Sequence, residues 1–172
     1  MLSEDFKELL LLFNEYRVKY LIVGGYAVAV HAQPRATKDL DLFVKADPEN
    51  AKAVHVALAK FGAPLEGIKP EDFINPGLFF RMGTAPQMVE IFSRISGVDF
   101  DAAWERRTEE VMDDRTGLKV FVISAEDFIA NKIAAGRPQD VADVDAVRKA
   151  AASQRPETAK KKPPAAGSGP NQ

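Results

Sequence analysis

The feature that most constrains this chain is a short apolar run that ends in a glycine pair and is followed by an acidic strand. The run from Tyr20 to Val23 stops at Gly24 and Gly25, and after thirteen further residues the chain reaches Asp39 and Asp41, which flank one leucine. Residues two apart on a strand share a face, with Cα atoms about 6.6 Å apart. The pattern therefore predicts two carboxylates on one sheet face, near a glycine turn.

The glycine pair lies where a strand passes into a helix, which we expect to run from Tyr26 to about His31. Backbone N–H groups at a helix start can approach a phosphate closely when no side chain intervenes. We therefore predict that Gly24 and Gly25 seat the triphosphate of a nucleotide.

A third carboxylate is predicted from a later strand. Glu90 is an acid between Val89 and Ile91, so by strand parity the two apolar residues fill the core while Glu90 faces the other way. Mg²⁺ prefers hard oxygen ligands, and two such ions can stabilise both oxygens of an in-line phosphoryl displacement. Asp39, Asp41 and Glu90 are thus the predicted catalytic residues and ligands of two Mg²⁺ ions, with Mn²⁺ as an alternative, and Glu90 would also help to remove the proton of the attacking hydroxyl.

Hydrophobic periodicity and turn residues predict an α/β (α+β) fold in which a mixed, largely antiparallel sheet carries helices on one face and the nucleotide site on the other. Residues 63–77 contain three prolines and two glycines and are predicted to be mostly loop. The remaining predicted elements are a helix from Ser3 to about Arg17, a strand at 39–44, a helix from Asp47 to about Phe61, a hairpin of strands at 78–82 and 88–92, strands around Val111 and at 118–123, a helix from Ser124 to about Ala135, and a last helix after Pro138.

Length and composition predict one globular domain at residues 1–152 and a disordered tail at 153–172 that is rich in Lys, Pro, Ala and Gly. The chain has no cysteine, which excludes disulfides, thiolate zinc sites and a cysteine nucleophile. The acidic start and the short apolar run at 9–13 predict a cytoplasmic protein that does not engage a membrane. With a net charge of -2, RNA binding would need a local basic patch.

Two longer segments carry a family resemblance. Residues 35–42 read RATKDLDL, and Lys132 is followed by RPQDVAD at residues 137–143. Together with the glycine turn, these motifs resemble the nucleotidyltransferase superfamily related to DNA polymerase beta, and within it the bacterial abortive-infection and toxin branch. The resemblance covers roughly residues 5 to 150.

The resemblance implies that Asp39 and Asp41 bind both metals and that Glu90 completes the catalytic one, although many members carry Asp in its place. It further implies that Lys132 lies near the nucleotide. The other positions to which it assigns a nucleotide-binding or helix-fixing role are Arg137, Asp140 and Asp143.

Each charged position also has a structural interpretation. A lone Asp-x-Asp strand is typical of a solvated sheet face. Asp140 and Asp143, on one helical face beside Arg137, fit a structural ion-pair role. Lys132 fits an exposed lysine lying over an apolar helix face. Arg35 and Lys38 precede the acidic strand and would either contact phosphates or remain surface charges.

The reaction implied is transfer of a nucleoside monophosphate from an NTP, with ATP as one candidate, to a hydroxyl acceptor. The toxin-like resemblance makes an RNA such as tRNA, or a protein, the first expectation, with an antitoxin as a further partner. The alternatives are a small-molecule acceptor, as in aminoglycoside-modifying enzymes, and a non-catalytic nucleotide-binding protein. An acidic concave pocket would favour the small molecule, and a basic groove the RNA.

Overall fold

The structure is a computed structural model that describes residues 2–33 and 37–153. Within those ranges, six helices and six strands are joined by short connections and one 3-10 turn at Pro70–Phe73. In chain order they are α1 Glu4–Glu15, β1 Tyr20–Val23, α2 Gly24–His31, β2 Leu40–Val44, α3 Pro48–Phe61, β3 Phe79–Thr84, β4 Gln87–Phe92, α4 Phe100–Glu105, β5 Thr108–Asp113, β6 Leu118–Val122, α5 Ala125–Ala135 and α6 Pro138–Ser153.

The six strands form one sheet in the order β3-β4-β2-β1-β6-β5. The pairs β3–β4, β2–β1 and β6–β5 are antiparallel, whereas β4–β2 and β1–β6 are parallel. The predicted mixed, largely antiparallel sheet is therefore confirmed. The two parallel pairings join strands that are distant in sequence, and one of them brings β4 beside β2.

The core occupies both faces of this sheet, since all four residues of β1 are buried and both Phe43 and Phe100 belong to the core. Leu40, Leu42 and Val44 alternate along β2 and are completely buried, because alternate residues of a strand share a face. Helix α1 contacts both α3 and β6. The intervening positions Asp41 and Phe43 lie on the opposite face, where Phe43 packs against α4.

Local capping explains why three helices begin at the Ser3, Asp47 and Ser124 starts that the sequence predicts. The Ser3 hydroxyl accepts a hydrogen bond from the third residue of α1 at 3.2 Å, and Ser124 does the same for α5 at 3.1 Å. Asp47 caps α3, with Pro48 at the first helical position, where its missing N–H costs nothing. Each cap satisfies a backbone donor that the helix itself leaves unpaired.

The structure differs from the sequence prediction at two helices. α2 begins at Gly24 instead of Tyr26, because glycine disfavours a helix interior but is accepted at a helix start. The six-residue helix α4 was not predicted, since a segment that short shows too little helical periodicity.

Some predictions concern residues outside 2–33 and 37–153. Arg35 is one of them, and the predicted tail is represented only by Ser153, the last residue of α6. In the described ranges, every helix is too short or too polar to cross a bilayer.

Candidate active site

The carboxylate of Asp41 lies at the centre of the candidate site. Strand β2 runs between β1 and β4, and Asp41 is the register partner of Val23 on one side and of Glu90 on the other. Glu90 is in turn the register partner of Arg81 on β3. We call Asp41, Glu90 and Arg81 the carboxylate row. Strand pairing thus places the glycine turn and the predicted third carboxylate on opposite sides of Asp41.

Gly24 leaves room for the Asp41 carboxylate. It has φ +63°, a conformation that glycine adopts without strain, and a Cβ added there would overlap Oδ2 of Asp41. Any larger residue would displace the carboxylate or the backbone. The glycine is therefore required both by backbone conformation and by close approach.

Gly25 makes a second close approach, to a residue whose site role was not predicted. A Cβ on Gly25 would collide with the hydroxyl of Thr37, and that hydroxyl also lies 3.4 Å from the backbone oxygen of Asp39. Thr37 thus joins the glycine turn to the segment that enters β2. The N-cap of α2 is Val23, whose apolar side chain makes no cap hydrogen bond with the helix start.

The electrostatics of Asp41 are those of a carboxylate among other carboxylates. Burial raises its pKa to about 6, and the charges on Glu90 and Asp39 add to this effect. Lys132 and Arg137 act in the opposite direction. The ordinary pKa of the Asp41 carboxyl is 3.8. A cation near Asp41 would relieve the repulsion among the three carboxylates.

The other two predicted metal ligands are engaged with protein groups. Glu90 Oε1 accepts from Arg81 Nε at 3.0 Å, and Asp39 Oδ1 accepts from the backbone N–H of Met88 at 3.3 Å. Across the described part of the chain, no three Asp, Glu or His side chains are gathered into one metal-binding cluster. The structure places Asp39, Asp41 and Glu90 near one another, where the start of β2 runs beside β4. Their role as metal ligands stays a prediction.

The downstream motif forms a buried ionic network between α5 and α6. Lys132 is 8% exposed and its Nζ lies 2.9 Å from Asp140 and 3.3 Å from Asp143. Arg137 Nε donates to Asp140 at 3.0 Å. Burial opposes ionisation of Asp140, but the hydrogen bonds from Lys132 and Arg137 outweigh it and lower its pKa. This network holds the two helices together, as in the ion-pair interpretation of the sequence, while Lys132 and Arg137 also place positive charge near Asp41.

Two other positions complete the account of the predicted residues. Lys38 is exposed directly before Asp39, and its contact with phosphate stays a prediction. His31 Nε2 lies 2.6 Å from the backbone oxygen of Ile123, which ties the end of α2 to the residue after β6.

Sequence analysis missed Arg81 and Thr37 as residues of the site. The signal for Arg81 was its position in the first strand of a predicted hairpin, opposite Glu90, but the register of a hairpin with a breaker-rich turn is not fixed by its sequence. Thr37 carried no signal apart from its place in the motif.

Several solved structures are similar to this chain at low sequence identity. The lincosamide antibiotic adenylyltransferase LnuA, bound to lincomycin, is 15% identical, with 87% of this chain and 98% of that chain covered at a TM-score of 0.49. An antigenic nucleotidyltransferase-like protein from Paracoccidioides brasiliensis is 20% identical, with 85% and 77% covered at 0.49. The antibiotic-resistance factor ANT(2'')-Ia is 14% identical, with 87% and 82% covered at 0.48.

The sequence itself gives the family. No curated protein matches the chain, but residues 1–151 match the model of a family described as "Nucleotidyltransferase of unknown function (DUF6036)". This match spans the glycine turn, the carboxylate row and the Lys132 network, and it confirms the resemblance to the nucleotidyltransferase superfamily. The chain belongs to this family and is a nucleotidyltransferase.

Proposed function

We propose that this enzyme transfers a nucleoside monophosphate from an NTP to a hydroxyl group of RNA, with Mg²⁺ as its metal. The observation that carries the proposal is the position of Asp41, whose carboxylate lies against Gly24 on one side and beside Glu90 in the sheet register on the other. A triphosphate on the glycine turn would lie directly beside these carboxylates.

The chemistry of the donors fits a divalent metal. Carboxylate oxygens are the ligands that Mg²⁺ prefers. Burial and, after it, the charges on Glu90 and Asp39 raise the pKa of Asp41, and a cation would offset the charge repulsion. Asp39 and Asp41 would hold Mg²⁺ ions, with Mn²⁺ as a substitute, and Glu90 would join them after leaving Arg81. Bound Mg²⁺ supplies neutralisation of the phosphate charge that develops during transfer.

The protein groups then have separate tasks. The N–H groups at the start of α2 hold the phosphates, helped by the positive end of the helix dipole, and Lys38 and Arg35 add positive charge from the segment before β2. The acceptor oxygen bonds to the α-phosphorus while the bond from that phosphorus to the bridging oxygen of the β-phosphate breaks. Pyrophosphate leaves with the electron pair, and the proton of the hydroxyl passes to the Glu90 carboxylate.

The acceptor is proposed to be RNA, such as tRNA, because the motif at residues 35–42 resembles the toxin branch, and an antitoxin partner belongs to the same proposal. A protein acceptor or a small molecule is an outcome of the test. The exposed cation Arg94, which follows β4, is the feature that favours a polyanion.

The test is to incubate the enzyme with each α-labelled NTP, Mg²⁺ and separate pools of RNA and protein, and to follow the label. Asp39→Asn should abolish transfer, whereas Asp114→Asn, which neutralises an exposed acid in the β5–β6 turn, should transfer normally. Label on RNA supports the proposal. Label on protein alone, or on neither polymer, would refute the RNA acceptor, and transfer that survives Asp39→Asn would refute the metal site.

A further inference from the structure

An aromatic row runs beside the carboxylate row on the same face of the sheet. Phe43, Phe92 and Phe79 are register partners across β2, β4 and β3, and each lies two residues along its strand from a member of the carboxylate row. Residues two apart share a face and are about 6.6 Å apart. The two rows are therefore parallel neighbours on the surface that carries the candidate site.

The aromatic row is anchored at one end and open at the other. The buried Phe43 ring packs edge-to-face on Phe100 of α4, with centroids 5.0 Å apart. Phe79, on the edge strand β3, stacks on Phe92 at 5.7 Å with an interplanar angle of 21°, yet 58% of it is exposed. The fold holds the Phe79 ring in place and leaves much of its surface available to a planar ligand.

The geometry of the transfer puts the acceptor on this side of the site. In an in-line displacement the attacking and leaving oxygens lie on opposite sides of phosphorus. Gly24 is on the β1 side of Asp41, so pyrophosphate leaves towards the glycine turn. The attacking hydroxyl then approaches from the Glu90 side. Arg81 is the next side chain of the carboxylate row there, and Phe92 and Phe79 lie two residues along β4 and β3 on the same face.

Cations and a cavity adjoin the aromatic row. Arg94, two residues beyond Phe92, is exposed and forms no ion pair within the described ranges. It lines a cavity of about 310 Å³ together with Phe43, Lys45 and Ser93, a volume in the range of small-ligand sites. The acids at this cavity are already engaged, because Asp101 pairs with Lys45 at 2.9 Å and Asp99 caps α4. Arg94 thus lies two residues from Phe92, on which the exposed Phe79 ring stacks. An arginine and an aromatic ring on one face suit a nucleotide, whose phosphate binds the cation and whose base stacks on the ring.

We propose that the aromatic row and Arg94 form the acceptor subsite, in which Phe79 stacks on the base of the RNA nucleoside that presents the attacking hydroxyl. Arg94 contacts the phosphate of that nucleoside. This inference rests on the proposed function and adds to it the residues that recognise the acceptor.

The first experiment measures binding without catalysis. A short single-stranded RNA with fluorescein at its 5′ end and a free 3′ hydroxyl is titrated with enzyme in the absence of NTP, and anisotropy gives the Kd. Phe79→Leu, which keeps an apolar side chain but removes the ring, should weaken binding about fivefold or more, as expected for the loss of one base stack. Phe79→Trp should bind like the wild type. The matched control is Val111→Ala, which trims an apolar residue that is 55% exposed on the opposite edge strand β5 and should have no effect.

Transfer kinetics separate the subsite from the rest of the active site. Phe79→Leu should raise the KM for RNA by a similar factor and leave the KM for NTP unchanged. Equal RNA binding by Phe79→Leu and the wild type overturns the subsite, as does loss of RNA binding by Val111→Ala to the same extent. The subsite would also be overturned if, in sedimentation, the wild type is a dimer and Phe79→Leu is a monomer. The ring would then serve self-association.

The two proposals can fail independently. RNA transfer that is indifferent to Phe79 would refute the subsite and leave the proposed function intact. Phe79-dependent RNA binding with no transfer to RNA from any NTP would refute the proposed function and leave the RNA subsite intact.

Discussion

Replacing Asp41 with asparagine should stabilise the folded protein at neutral pH when divalent metal is absent. Burial, with the charges on Glu90 and Asp39, raises the pKa of Asp41 to about 6 from an ordinary 3.8. Between these two values the folded protein keeps a proton that the unfolded chain has released, so stability falls as the pH rises through this window and stays low above it. At about 1.4 kcal/mol per pH unit, the cost at neutral pH is about 3 kcal/mol at most. Asparagine keeps the shape of the side chain and removes this cost.

The assay is urea unfolding in EDTA, followed by the fluorescence of Trp104, the one tryptophan of the chain. Asp41→Asn should be more stable than the wild type at about pH 7.5, and the difference should shrink towards zero at about pH 4, where the native carboxyl is protonated. Asp114→Asn, at an exposed acid, should show neither effect. A variant that is less stable than the wild type at neutral pH, or a stability difference that does not change with pH, would show that Asp41 is not held against its ionisation.

Three further predictions concern the glycine turn and the buried network. Gly24→Ala should abolish transfer and destabilise the fold by more than the roughly 1–2 kcal/mol of a left-handed backbone, because its Cβ would displace Asp41. Gly67 has a similar φ, +74°, but open surroundings. Gly67→Ala should therefore lose only the stability that the left-handed backbone costs, and it should retain activity. Equal losses of stability in the two variants would argue against the close approach of Gly24 to Asp41. Lys132→Met should lower the free energy of unfolding in urea by about 3–5 kcal/mol. It leaves the buried, charged Asp140 and Asp143 without the positive charge of the lysine. Adding Asp140→Asn to Lys132→Met should recover part of that loss, and a purely additive double variant would contradict direct pairing.

Local sequence patterns determined the elements from which the site is built. The apolar run at β1, the alternation of Leu40 and Leu42 in β2, and the caps at Ser3 and Ser124 each depend on residues only a few positions apart. Such patterns predict whether a segment is a helix or a strand and which face it buries. For the same reason, the sequence placed Asp41 and Glu90 on the non-core faces of their strands.

Which strands adjoin was decided by the tertiary structure. The parallel pairing of β2 with β4 brings Glu90 to Asp41 across 49 residues of sequence, and no local period specifies such a pairing. The same pairing aligns Phe43 with Phe92 and so creates the aromatic row. Arg81 became the partner of Glu90 through hairpin register, which packing fixes and turn residues alone do not.

The start of α2 and the buried charges likewise combine a feature that the sequence indicates with one that tertiary packing decides. The sequence marked Gly24 as a turn, but only the approach of Asp41 explains why a side chain cannot be accommodated there. Lys132 and Asp140 were recognised as a motif, while their burial depends on how α5 packs against α6. The sequence by itself determined which chemical groups are present and, through short-range periodicity, the faces on which they lie. Only the tertiary structure decided which groups meet, because strand pairing and helix packing join residues far apart in the chain.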